Sequence, residues 1–528
     1  MWTRRNVLKA FAAGGGLLAT PAPLMPAFGA ADPDVFLRLV AAPARFPVRP
    51  GPETQGLRYT GEVLRGRRDA IRESPGNLGP TLELRRGERV RIEVVNKVGA
   101  ETVIHWHGMI VPDSADGHPH QAVRSGSSYT IEFTVLNPAG TYLYHPHPHA
   151  ITGRQTYYGL SGLLIVRESA ERNIGLPGSE HELHLVLQDR RIRDDNRLVF
   201  KRMMMDDMNG VLGDRVLVNG RDDAAFKVAP RVYRLRIANV SNARIYKLAW
   251  SDGRPLRAIA SDNGIFSRVE GVQARPYVTL FPFERVELLE DFSARRDGAE
   301  IALVSQAFSG LDNMMGDMMG RESGNGRGGM GGMMGGGMMG GMMGGMMGGG
   351  MMGGMMGPSQ GDELHVASFT VSPGQRMRAA TLVLPDEEPR AREGRYKLQT
   401  QLAFRHMQGF LNGRSFDTRD MMAVADNERL PVGEASVWTF TNDGPGMAMP
   451  HPMHIHGVRF RVIERSPGSV PADLRDGIID TGYKDTVGIF AGERVRVQLA
   501  PIVPGLFMYH CHNLEHEDGG MMRNVMFG

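Results

Sequence analysis

The chain has 528 residues, 41% hydrophobic and 23% charged, which is ordinary for a soluble globular protein and long enough for roughly three domains of about 150 residues. Lys+Arg of 61 against Asp+Glu of 58 leaves a formal charge of +3, a near balance that argues neither for a nucleic-acid binder nor for an enzyme tuned to acidic substrates. A single cysteine, Cys511, excludes an intramolecular disulfide framework and leaves its thiol free to act as a ligand.

The N-terminus reads as an export signal. Thr3-Arg4-Arg5-Asn6-Val7-Leu8-Lys9 is a twin-arginine pattern, followed by an apolar stretch from Ala10 to Ala19 and small residues up to Ala31. The apolar run is too short and too rich in Gly to span a membrane, and no other span is expected. Residues 1–31 are expected to be a signal peptide. The twin-arginine export machinery carries folded proteins, so the expected location is the periplasm.

Residues 32–168 hold short β-rich runs divided by Gly and Pro, such as Thr81-Leu-Glu-Leu-Arg and Val90-Arg-Ile-Glu-Val-Val-Asn, whose apolar and polar residues alternate. Residues 169–380 repeat the style with Leu183-His-Leu-Val-Leu and Tyr233-Arg-Leu-Arg-Ile-Ala-Asn, and residues 381–528 with Ala435-Ser-Val-Trp-Thr-Phe-Thr-Asn. In each block one strand ends on Asn at a similar place, which predicts three consecutive copies of one β-sandwich. An all-β protein is expected. The run 313–358 in the second block is almost entirely Gly and Met, with 17 methionines between Met314 and Met356. So much Gly cannot hold a helix or strand, and a disordered loop is expected there.

Histidines fall in four short motifs: His105-Trp106-His107, His145-Pro146-His147, His451-Pro452-Met453-His454-Ile455-His456 and His510-Cys511-His512, the last followed by His516 and Met521. In a strand, each His-X-His puts two imidazoles on one face about 7 Å apart along the backbone, a spacing that suits two neighbouring metals. Two His, one Cys and a weak axial Met form the ligand set of an electron-transfer copper site. Cys511, with His510 and His512 facing the other way, would join two metal centres through its own bonds. His118, His120 and His149 also lie near these motifs and are read as surface histidines.

With these motifs, and with Gly79-Pro80, Val218-Asn219-Gly220 and Leu235-Arg-Ile-Ala-Asn-Val-Ser-Asn-Ala-Arg244, the sequence from about Arg58 onward resembles the multicopper oxidases. Among them it looks most like the three-domain, laccase-like bacterial cuprous oxidases of copper-tolerance systems. The resemblance implies Greek-key cupredoxin domains and four copper ions. It implies type 1 copper on His451, Cys511, His516 and axial Met521, and type 2 copper on His105 and His454. The type 3 pair would take His107, His145, His147, His456, His510 and His512. Asp116 and Glu517 match acidic positions that assist proton delivery.

The implied activity couples one-electron oxidation of Cu(I), and also of phenols and diamines, to four-electron reduction of O₂ to water. A monomer is expected. Met447 and Met449 are the candidates for holding substrate copper. The chain departs from the cuprous oxidases in two ways: its Met-rich run lies in the second block, not the third, and Met447 stands where they carry an aspartate. Two other readings compete: a laccase-like phenol oxidase with the Met loop as a shield, and a periplasmic copper-binding or storage protein.

Overall fold

The computed structural model describes residues 32–200, 204–309, 311, 359–377, 380–388, 394–444, 449–466 and 470–528. The expected signal peptide, the Met/Gly-rich run and Met447 lie outside the described residues. Among the described residues almost all regular structure is β, in six sheets of four to seven strands. Helices are short; the last, Leu514–Asp518, follows directly on the His-Cys-His strand. Among the described residues, no helix is long and apolar enough to cross a membrane.

Three large hydrophobic cores lie along the chain, centred on Trp106, Trp250 and Trp438, each fully buried. The sheets over these cores repeat one another. In the first, Val35–Phe46 pairs parallel with Arg89–Asn96, which pairs antiparallel with Ser128–Thr134. Glu182–Arg190, Val232–Asn239 and Arg285–Asp291 stand in the same relation, as do Tyr396–Arg405, Ser436–Thr441 and Arg494–Leu499. The middle strand of each trio is the one that the sequence marks with a terminal Asn.

Those asparagines have a mechanical role. Asn96 Nδ2 donates to the carbonyls of Ala100 and Val123, both at 2.8 Å. Asn239 Nδ2 donates to Arg244 and Leu280, and Asn442 Nδ2 to Met449 and Ile489. Each buried amide thereby satisfies two loop carbonyls that would otherwise be stranded away from water. The loops fixed by Asn96 and Asn442 lead into His105 and His451. Residues Asp34–Gly528 form one compact unit, in which the first and last thirds of the chain meet along their histidine motifs.

Candidate metal centre

The ligand motifs lie on strands whose registers bring them together. His105 pairs with His145 across one ladder, and His454 with His510 across another. Each His-X-His is then divided: His105 and His454 converge, His107 gathers with His145 and His512, and His147 gathers with His456 and His510. The imidazole centroids within each pair stand 5.0–6.2 Å apart. The eight rings are buried to within about 1% exposure.

Their tautomers show what the cluster can hold. His105 Nδ1 donates to the carbonyl of Asp116 and His454 Nδ1 to that of Asp485, both at 2.8 Å, so the protons sit there. The two Nε2 lone pairs then face one another at 3.3 Å with no proton between them. His456 Nδ1 donates to Asp116 Oδ2 at 2.7 Å, and its Nε2 faces His510 Nε2 at 3.0 Å. His107 differs: its Nε2 donates to Asp485 Oδ1 at 3.0 Å, and its Nδ1 faces His512 Nε2 at 3.1 Å. His145 donates through Nδ1 to the Pro146 carbonyl, leaving a buried Nε2 without a partner among the described residues. Burial holds His107, His145, His147, His454, His456 and His512 well below the usual imidazole pKa, so they stay neutral at working pH. Converging neutral lone pairs in a buried site call for cations, and imidazole donors suit copper.

A second group lies on the far side of the terminal strand. Cys511 Sγ is 3.5 Å from His451 Nδ1 and 3.6 Å from His516 Nδ1. His516 is fixed by its Nε2–H, which donates to the Met208 carbonyl at 2.7 Å. Met521 is fully buried, its carbonyl accepting from Cys511 N and its N–H donating to the His516 carbonyl. Gly409 lies against it: a Cβ there would stand 2.2 Å from Met521 Cβ. Burial pushes the Cys511 thiol well above its usual range, so the thiolate forms only with a cation to hold it.

The two expected acids are buried at the cluster. Asp116 is described above. Glu517 lies 3.2 Å from His510 Nδ1 and 3.6 Å from His147 Nε2. Burial pushes its carboxyl up, but His510 and His147 more than offset this and hold it below the ordinary range. Met449 is buried in an apolar cluster with Met208 and Phe404. His118 corrects the expectation of a surface residue: it is 1% exposed and satisfied by Asn524 Oδ1 at 3.0 Å, while its neighbour His120 is exposed.

Sequence reasoning missed Asp485 and Arg285. Asp485 is fully buried, and Arg285 grips its two oxygens at 2.7 and 2.5 Å. Asn263 Nδ2 and Thr486 Oγ1 donate to it as well. Gly108 makes room for this pair: at φ +82°, a Cβ there would meet Asp485 Oδ2 at 2.4 Å and Arg285 Nη2 at 2.7 Å. The only sequence signal was that glycine, which closes the His-Trp-His motif.

A β-rich chain with one Cys-His-His site wired to an eight-imidazole cluster defines a copper oxidoreductase. Comparison with known proteins makes this specific. Two family models, both described as multicopper oxidase, match residues 65–171 and 390–527. The chain is 28% identical to multicopper oxidase mco of Staphylococcus haemolyticus over 85% of this chain and 82% of that protein. It is also 28% identical to a laccase of Bacillus stratosphericus, covering 84% and 88% respectively. The crystal structure of McoA multicopper oxidase from Aquifex aeolicus superposes with a TM-score of 0.72 at 27% identity, covering 94% of this chain and 97% of that one. Together with the ligand geometry, these matches support multicopper oxidase activity, in which oxidation of a substrate is coupled to reduction of O₂.

Proposed function

We propose that this chain is an exported cuprous oxidase serving copper tolerance. Beside the donor sulfur group lies a cavity of about 30 Å³ lined by Met208, Met449, Pro450, Asn513 and His516. That is room for a small ion or an ordered water. Thioethers are soft donors that select Cu(I), and Met208 and Met449 face this space beside the ligand His516. This cavity carries the reading, and the methionine-rich run 313–358 fits it as a delivery element. Met447, next to Met449 in the chain, is the companion candidate for holding substrate copper.

In this reading His451, Cys511, His516 and axial Met521 hold type 1 copper, and His105 and His454 hold type 2. His107, His145, His147, His456, His510 and His512 hold the type 3 pair. Bound copper supplies one-electron acceptance from the substrate and the four-electron reduction of O₂ to water. Cys511 provides the covalent route to His510 and His512, its immediate neighbours in the chain. Asp116 and Glu517 hold and pass the protons that water formation consumes. The three cores and their repeated strand order support three cupredoxin domains with Greek-key connections, at 32–168, 169–380 and 381–528. The twin-arginine pattern supports periplasmic delivery by its export machinery, and a monomer suffices because one chain supplies every ligand.

A laccase-like phenol oxidase would need a ring to reach His516, whose outer nitrogen is taken by the Met208 carbonyl. A storage protein would not need facing imidazoles with fixed tautomers. Oxygen uptake by copper-loaded protein, with Cu(I) and with a phenol, tests the proposal. In Met208→Leu and Met449→Leu, Cu(I) turnover should fall about tenfold with phenol turnover unchanged. Equal losses with both substrates would sink it.

A further inference from the structure

We propose that Arg285 is a positioning residue of the oxygen-reducing site, acting through Asp485 from the part of the chain that supplies no copper ligand. This inference rests on the copper reading and concerns what holds two of its ligands in place.

Asp485 touches both. Its backbone carbonyl accepts from His454 Nδ1 and its Oδ1 accepts from His107 Nε2. The second contact decides which nitrogen of His107 is free. A carboxylate can only accept, so the proton is held on Nε2 and the lone pair is left on Nδ1, the atom that faces His512. His105, His145, His454 and His456 present Nε2 instead, each donating through Nδ1 to an oxygen. His107 would point its donor away from His512 if the proton moved.

Asp485 is in turn immobilised by Arg285. The guanidinium spans both carboxylate oxygens and is itself fixed by the carbonyls of Thr141, Phe283 and Asp262. Phe283, two residues before Arg285, stacks on His512 with ring centroids 3.8 Å apart. One short stretch therefore sets two facing ligands, one by its guanidinium and one by its ring. A planar fork makes this grip directional in a way that an ammonium cannot reproduce.

The full-length, copper-loaded chain tests this with Arg285→Lys and Asp485→Asn. Arg234→Lys is the control, a buried guanidinium that binds Glu287 and Glu171 and touches no ligand. Metal content, the type 2 electron paramagnetic resonance signal and the visible absorption of the thiolate site are read together. Both test variants should keep the thiolate absorption, show an altered type 2 signal, and bind trinuclear copper about 10–100-fold more weakly. Arg234→Lys should lower Tm and leave all three readouts alone. Wild-type signal and affinity in Arg285→Lys would overturn the proposal, as would an equal change in Arg234→Lys. If Asp485→Asn fails to fold, Arg285→Lys decides alone, since it keeps the charge and loses the fork. A wild-type chain that binds no copper would overturn the copper reading instead.

Discussion

Asp116 and Asp485 stand in the same relation to ligands from opposite ends of the chain. Each accepts on its backbone carbonyl from a histidine of its own segment, His105 or His454, and on its carboxylate from a histidine of the other, His456 or His107. They differ in what else they touch. Every oxygen of the Asp485 carboxylate is engaged, whereas Asp116 Oδ1 has no hydrogen-bond partner among the described residues. One carboxylate is fully engaged, and the other has an oxygen to spare.

Asp116→Asn should therefore slow oxygen reduction by about 10²-fold or more while leaving copper content and reduction of the thiolate site by substrate unchanged. Stopped-flow reoxidation of the reduced enzyme separates the two half-reactions. An unchanged reoxidation rate would exclude Asp116 from proton transfer.

Cys511→Ser should abolish the intense visible absorption of the thiolate site and lower the copper content by one type of site only. His451 and His516 lose their third donor, whereas the eight imidazoles of the cluster lose none. Retention of the absorption would place the thiolate site elsewhere.

Gly409→Ala puts a methyl where Met521 Cβ already lies. Overpacking of this kind costs about 1–3 kcal/mol and is relieved here by shifting Met521. A lower Tm together with an altered reduction potential of the thiolate site is expected. A changed Tm with an unchanged potential would show that Met521 does not contact the metal.

Gly108→Ala combines a left-handed backbone with a clash against Asp485 and Arg285. Its trinuclear copper should be lost at lower chelator concentration than in the wild type, with the thiolate absorption outlasting it. Simultaneous loss of both would indicate general unfolding.

Acid should destabilise the copper-free chain steeply. Burial depresses the folded pKa of His107, His145, His147, His451, His454, His456 and His512, and lowers His118 to about 4. Below about 6.5 the unfolded chain binds protons that the folded chain refuses. Stability is thus full above that pH and is lost as pH falls, by up to about 1.4 kcal/mol per pH unit for each such imidazole. Thermal melts of the copper-free chain between pH 7 and pH 4 measure this. A Tm that does not fall with pH would mean that the imidazoles are not held neutral.

The ligands were legible because metal binding demands rare side chains at fixed spacing, and chance does not place four His-X-His motifs and a lone Cys in that order. The repeated strands were legible through alternation and their terminal Asn. Asp485 and Arg285 were not, since both are common residue types and lie 200 positions apart in sequence. Only the meeting of distant strands makes them partners. His118 misled for the converse reason: it is buried with its Nε2 on Asn524, a partner that nothing near it in sequence announces.

The bridging asparagines carry a further lesson. Asn239 ties its loop as Asn96 and Asn442 tie theirs, yet no histidine pair follows it. The joint therefore belongs to the scaffold and not to its metal cargo, and it works with nothing to carry. The loop after Asn239 is a vacant mount, already braced, onto which a ligand pair could be grafted without rebuilding the sheet beneath it.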